Sequence, residues 1–357
     1  MIVVIDADPI VYRCGFAAEK PVWHVIYEDA EGPKEIAFEP DDNSTAGAKM
    51  KAWEKEHGDR ISILDKSKRV APEPLSHALR STKVQVESIM QECEEQYKEG
   101  GKMLMFLSGR GGSFRDKIAT VRPYKGNRDP SHKPYHYDAI RDYLQAQYGS
   151  FVTSHIEADD AVSILAHDHY ERRKPERLVI ATIDKDLDQI PGWHYNYMQK
   201  VHYAITNTEA ERFFVYQILA GDATDNITGV WRCGDANANR LAAELRYTGR
   251  VIAYRQPIVQ HGRVAAGTGA ANPERRGAGD RNTDAACPRC PSWWPHIVAE
   301  YAASQRKAGC PYAESSPEAV AIEMAQLVHL QQYPGQLWHP YGDLVTEGFG
   351  EGDFDVG

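Results

Sequence analysis

Residues 1–13, MIVVIDADPIVYR, decide the reading of the fold. Ile2, Val3, Val4 and Ile5 run without a polar interruption and stop at Asp6. A strand with one solvated face alternates apolar and polar residues, so an unbroken run points to a strand covered on both faces, as in a parallel sheet. Similar runs recur at 102–107 (KMLMFL) and 177–183 (RLVIATI), with a weaker one at 193–198. Between them, 72–98, 135–148 and 158–172 repeat apolar residues at helical spacing; in the first of these Leu75, Ala78, Leu79, Val86, Ile89 and Met90 form one stripe. Strands alternating with helices predict an α/β fold, in which ligands bind outside the carboxyl ends of the strands. Residues 23–27 and 35–38, separated by EDAEGPK, read as a hairpin inserted after the first helix.

At about 150 residues per domain, 357 residues suggest two domains. Apolar residues at 42% and charged residues at 26% exclude whole-chain disorder. No apolar stretch reaches the length of about 18 residues that marks a membrane helix, and the start of the chain lacks the basic-then-apolar order of a secretory signal. Six scattered cysteines are too sparse for a disulfide scaffold, which fits a reducing, cytoplasmic location. Lys plus Arg total 41 against 51 for Asp plus Glu, a net charge of −10. An acidic chain is not the usual footprint of a nucleic-acid binder, so the placement of the acids matters.

The composition changes after residue 247. Residues 247–295 are rich in Arg, Gly, Ala and Pro, contain no Lys and show no periodicity, which predicts a flexible segment. Cys287 and Cys290 within it resemble half a zinc site, but no second pair follows at useful spacing. Periodicity returns at 294–303 and 317–331, and the tail reads as loose and acidic.

Eight acids fall at predicted element ends: Asp6 after the first strand, Glu157, Asp159 and Asp160 opening a helix, Asp184 and Asp186 after the run at 177–183, and Asp222 and Asp225 after a helix at 208–220. Taken singly, each cluster suits a helix cap or a dipole partner equally well. Taken together, parallel strands would converge them, and carboxylates a few ångströms apart repel or protonate unless a cation lies between them. Oxygen-only donors favour Mg²⁺ or Mn²⁺ over Zn²⁺, and two such ions suit in-line hydrolysis of a phosphodiester.

A basic constellation, FRDKIATVRPYKGNR at 114–128, sets Arg115, Lys117, Arg122, Lys125 and Arg128 around Tyr124. It suits phosphate contacts and base stacking, or else a solvated surface loop. A third segment, NITGVWRCGDANANRLAAEL at 226–245, reads as helix, glycine turn and helix, able to offer backbone N–H groups to a phosphate or to form a generic helical turn.

With these motifs assembled, the chain resembles the flap endonuclease and 5′-nuclease family, most nearly its bacteriophage 5′-3′ exonuclease branch. VIDADPIVYR, FR…RPYKGNR, EADDAV, TIDKDLDQI and GDATDNI occur in the family's order. The resemblance implies a PIN-like parallel-sheet nuclease core at 1–205, with the inserted hairpin at 22–58 and a basic helical arch at 109–134. It also implies a helix-three-turn-helix DNA clamp at 206–246 and C-terminal helices at 296–342, before the tail at 343–357.

Carried over by motif, Asp6, Glu157, Asp159 and Asp160 match the ligands of a first divalent ion, and Asp184, Asp186, Asp222 and Asp225 those of a second. Lys125, Asp6 and Asp160 match catalytic positions. Arg115, Lys117, Arg122, Tyr124, Lys125, Arg128, Gly229 and Gly234 match DNA contacts, with K⁺ a further ion at the clamp. Two departures stand out: Ser108 occupies a position where many members have Asp, and Arg232 replaces a clamp glycine. The implied activity is metal-dependent 5′-3′ hydrolysis of duplex DNA from a 5′ end, with RNA/DNA hybrids as a further substrate. A PIN-type endoribonuclease and a catalytically impaired nucleic-acid-binding protein are the alternatives.

Overall fold

The computed structural model describes residues 1–41, 43–129, 132–248, 291–342 and 344–345. The expectations for 249–290, including the Cys287 and Cys290 pair, and for nearly all of the tail lie outside the described residues. In chain order the elements begin with β1 (Ile2–Asp6), α1 (Asp8–Ala17), β2 (Glu19–Asp29), β3 (Gly32–Phe38), α2 (Ala46–His57), β4 (Ser62–Pro72) and α3 (Leu75–Tyr97). They continue with β5 (Lys102–Leu107), α4 (Arg115–Ile118), α5 (Tyr137–Tyr148), β6 (Phe151–Val152), α6 (Ala158–Glu171) and β7 (Leu178–Ala181). After a 3-10 turn at Lys185–Gln189 come β8 (Gly192–Asn196), β9 (Val201–Ile205), α7 (Asn207–Ala220), α8 (Asp235–Glu244), α9 (Trp294–Gln305) and α10 (Pro317–Val328).

The chain divides into two compact units, and one of the divisions between them falls inside α3. The first comprises residues 1–8, 89–130 and 150–357. Its sheet has the order β6-β5-β1-β7-β8-β9. β1 pairs in parallel with both β5 and β7, and only β9 runs antiparallel, against β8. Val3, Val4 and Ile5 have no exposed surface, as the unbroken apolar run predicts. Because the chain places β5 and β6 on one side of β1 and β7 and β8 on the other, the strand order reverses at β1. The carboxyl ends of β1, β5 and β7 share one edge there, the place where open α/β sheets bind ligands.

In the same unit, α10 packs on α7 and α9. Trp293, Trp294, Phe214 and Trp338 form an aromatic core, with the Trp293 and Trp338 rings stacked at 6.1 Å. The loop between α7 and α8 turns tightly on two glycines. Gly221 and Gly229 have φ of +71° and +61°, and a Cβ on Gly229 would lie 2.3 Å from Gly221 N.

The second unit, residues 9–88 and 131–149, holds a three-stranded antiparallel sheet in the order β3-β2-β4. The expected hairpin is β2 and β3, both longer than predicted. β4 and α2 extend it: Val25, Phe38 and Met50 form a small core with Trp23, Tyr27, Ile36 and Trp53 packed on it.

Gly229→Ala is expected to destabilise the fold by about 2 kcal/mol or more, since it adds a backbone clash to a strained left-handed φ. Thermal unfolding of the variant checks this; a Tm within a degree or so of the parent contradicts the close approach.

Candidate metal and nucleic-acid site

The site is built on the carboxyl edge of the first unit's sheet. β1 ends in Asp6, whose Oδ1 accepts the Asp8 backbone N–H at 3.1 Å. Asp184 follows β7 and caps the 3-10 turn, accepting the Asp186 N–H at 2.9 Å. Glu157 caps α6, and its own N–H is accepted by Asp160 Oδ2 at 3.2 Å. Asp222 Oδ1 accepts the Thr224 N–H at 2.7 Å in the loop after α7. Capping and turn roles are thus present, and they do not exhaust the cluster.

The acids fall into two electrostatic groups. Asp6 is held well above the ordinary carboxylate range by burial, then by Asp8 and Asp184. Asp159 is raised by burial and by Asp160 and Glu157. Burial also raises Asp184, with Asp225 and Asp222 adding to it. Asp186 is pushed up to about 7 by burial, then by Asp184 and Asp222. Gln217 Nε2 donates to Asp186 Oδ1 at 2.8 Å, a neutral donor that brings no positive charge, and Lys185 offsets the rise only in part.

The other acids have cationic partners. Lys125 Nζ donates to Glu157 Oε1 and lies 3.8 Å from Asp225 Oδ2. Burial alone would raise Glu157, but Lys125 and Arg115 outweigh it and hold the carboxyl below its usual range. Arg128 pairs with Asp225, and Lys185 lies 3.4 Å from Asp222 Oδ2. The Tyr124 hydroxyl sits 2.6 Å from Glu157 Oε2 and 2.8 Å from Asp225 Oδ2, able to donate to one at a time.

Four expected site residues take different roles. Arg115, expected at a phosphate, is 2% exposed. Its guanidinium forms a bidentate pair with Asp160 at 2.5 and 2.9 Å and donates to the Leu327 and His329 carbonyls. Asp160, expected as a metal ligand and catalytic group, has no exposed surface. Its two oxygens accept from Arg115, Glu157 N and Gln331 N, so its lone pairs are committed inside the protein. The ring of Tyr124 is buried beneath Lys125 Nζ, 4.9 Å from its centroid, and offers no face to a base. Gly229 is buried, and its carbonyl accepts from Tyr312.

Lys117, Arg128 and Gly234 remain exposed, and half-buried Arg122 lies over the Trp231 ring at 5.7 Å. Arg232, at the replaced clamp glycine, keeps a left-handed φ of +57°. The loop carrying Lys125 is fastened to the acidic loop. Lys125 N donates to Asp225 O at 2.9 Å, Asn127 Nδ2 to Ala223 O at 2.7 Å, and Asn226 Nδ2 to Pro123 O at 2.9 Å.

Sequence reading does not single out Asp8 or Gln217. Asp8 Oδ2 accepts the Ser108 N–H at 3.0 Å and raises Asp6, so a carboxylate still stands beside the position where Ser108 replaces an acid. The signal available was its place two residues beyond Asp6, just past the end of β1.

The donor chemistry suits a divalent cation: the desolvated carboxylates of Asp6, Asp159, Asp184 and Asp186 repel one another more than the nearby Arg115, Lys125 and Lys185 offset. A cavity of ≈ 10 Å³, about the size of one water or ion, lies between Asp159, Asp186, Asp222 and Asp225. As the side chains stand, no three His, Cys, Asp or Glu groups among the described residues gather round one point. Lys125, Arg128 and Arg115 pair with the neighbouring carboxylates.

No protein-family model matches the chain. It is similar to a 5′-3′ exonuclease of Buchnera aphidicola subsp. Acyrthosiphon pisum (strain APS), 26% identical over 158 residues, which cover 41% of this chain and 54% of that protein. The chain thus spans about half the length of the curated relative it matches. This match bears out the resemblance to the 5′-nuclease family. Among solved structures, a bacteriophage T5 protein co-crystallised with metal ions is 14% identical, covering 72% of this chain and 80% of that one at a TM-score of 0.40. Bacteriophage T5 5′-exonuclease with bound zinc is 20% identical, covering 48% and 68% at 0.35.

An aspartate raised as Asp186 is keeps its proton in the fold at a pH where the unfolded chain has lost it. The stability this gives is full below the unfolded value near 4 and is lost as pH rises through about 7. In chelator, Asp186→Asn should therefore raise Tm at pH 8, by about 2–4 °C per kcal/mol regained. At pH 4 the variant should match the parent. Thermal scans across that range test it, and a Tm difference independent of pH contradicts the assignment.

Proposed function

We propose that this chain, similar in sequence to 5′-3′ exonucleases, is a metal-dependent 5′-3′ nuclease acting on duplex DNA, with RNA/DNA hybrids as a further substrate. The observation that carries the proposal is the set of desolvated acids at the switch point of the sheet, with Lys125 in salt-bridge contact at their rim. Asp6, Asp159, Asp184 and Asp186 are the residues that would hold divalent ions, joined by Glu157, Asp222 and Asp225. Such ions, when bound, supply Lewis acidity to both the attacking and the leaving oxygen of a phosphodiester.

The chain's own residues supply the rest. Lys125 is held protonated by Glu157 and Asp225 even though burial opposes its charge. A phosphodiester entering the site offers this ammonium an alternative anion, and the exchange frees Glu157 toward the acidic cluster. The ammonium then meets the charge that develops on the phosphoryl oxygens. Arg128 is placed to make the same exchange from Asp225. Lys117, Arg122 and the α8 N-terminus at Gly234 are proposed as phosphate contacts, which fix position without reading sequence. Lys125 adopts a φ of +53°, and a non-glycine residue held there is consistent with a position fixed for its side chain.

A Mg²⁺- or Mn²⁺-dependent cleavage assay on duplexes labelled at the 5′ or the 3′ end tests the reading, because the label released gives polarity. Release of mononucleotides or short fragments from the 5′ end supports it; no cleavage with either ion points to a nucleic-acid-binding protein. Lys125→Ala is expected to slow single-turnover cleavage by about 100-fold or more while weakening binding far less. Equal losses in rate and affinity would make Lys125 a phosphate anchor only.

A further inference from the structure

Beside Lys125 the first unit contains a second cavity, of ≈ 190 Å³, whose wall includes Ser113, Asp116, Lys125 and Glu157. Ser113 is 8% exposed, and its Oγ has no hydrogen-bond partner among the described residues. Native folds seldom leave a buried hydroxyl unmatched, and this one lines an open cavity where a ligand could match it.

The hydroxyl is held in place from both sides. Ser113 N donates to Asp116 Oδ2 at 2.8 Å, and Phe114 N donates to His155 O at 2.9 Å. Gly112 permits the turn with a φ of +77°, where a Cβ would lie 2.6 Å from Asp116 Oδ2.

The charges on the wall decide the class of ligand. Two carboxylates face one ammonium, and that ammonium is already engaged by Glu157. With Lys125 taken up by one phosphate, a second phosphate inside the cavity would meet net negative charge. A neutral group rich in hydroxyls meets an acceptor at Asp116 and a hydroxyl at Ser113. The cavity is far larger than the one-water space between the acids and has room for a furanose ring.

We propose that this cavity is a sugar subsite for the nucleotide next to the phosphate that Lys125 contacts, with Ser113 Oγ the partner of a ribose 2′-hydroxyl. The proposal rests on the nuclease reading for its location and deepens it by naming the residue and the single nucleotide position at which ribose would be told from deoxyribose. The 2′-hydroxyl is the group by which a protein separates RNA from DNA at a given position.

The test uses duplexes with a single ribonucleotide walked along the 5′ end of one strand. Affinity is measured in chelator and cleavage separately with Mg²⁺. The parent should favour ribose at one position by about fivefold in affinity, the scale of one neutral hydrogen bond. Ser113→Ala should remove that preference, leave the all-deoxy duplex bound as before and keep the parent's Tm. With the parent protein, a 2′-fluoro or 2′-O-methyl sugar at the same position should also remove it.

A parent with no ribose preference at any position overturns the subsite. So does a preference that survives in Ser113→Ala, or a loss equal for ribose and deoxyribose. A parent that binds the ribose strand preferentially yet cuts neither duplex overturns the nuclease reading and leaves the subsite standing.

Discussion

The pairing of Arg115 with Asp160 fixes where everything else in the candidate site can be. A guanidinium cannot shed its charge to escape burial. Here it lies out of water against a carboxylate that also has no exposed surface. Burial opposes the charge, yet Asp160 and the groups around it hold Arg115 more firmly protonated than usual. The remaining donors run to the carbonyls of Leu327 and His329 at the end of α10, where the helix presents partial negative charge. One side chain therefore ties the start of α6 to the end of α10. Breaking such a pair by removing one partner costs about 3–5 kcal/mol, because the other is left buried and charged. Glu157 and Asp159, which come just before Asp160 in the sequence, are presented by that knot.

The division of the acids follows from this arrangement. Those with a nearby cation, namely Asp160, Glu157, Asp225 and Asp222, are compensated without any ion from outside. Asp6, Asp159, Asp184 and Asp186 are desolvated by the same packing, and for them burial and mutual repulsion outweigh the pull of Arg115, Lys125 and Lys185 nearby. Their repulsion is the part of the fold's electrostatics that a divalent ion would relieve. The tension is local, since the surrounding core of Val4, Ile180, Phe214 and Trp293 is fully packed.

What could be read from the sequence was whatever left a periodic or charged trace. β1, β5 and β7 announced themselves as unbroken apolar runs because both of their faces are covered. β4 did not: its residues are almost all exposed, so SILDKSKRVAP carries no alternation to recognise. The converging acids were legible because their positions at element ends are a property of chain order. Arg115 was misread because a buried arginine and a surface arginine look alike in a basic run. What separates them is the arrival of α10 from more than two hundred residues away. Asp160 was misplaced for the same reason, and Tyr124 and Gly229 because neighbouring loops cover them.

The contacts made by residues 291–342 carry a consequence for how the first unit stays assembled. Tyr312 donates to Gly229 O and accepts from Trp231 N, Tyr301 donates to Ile218 O, and Trp293 donates to Glu211. α9 and α10 are thus bound to α7 and its following loop by buried hydrogen bonds and aromatic packing, none of which depends on the peptide chain being continuous between 248 and 291. The two stretches behave as complementary halves of one core, so a chain nicked between them would remain a single particle, held by the same forces that folded it.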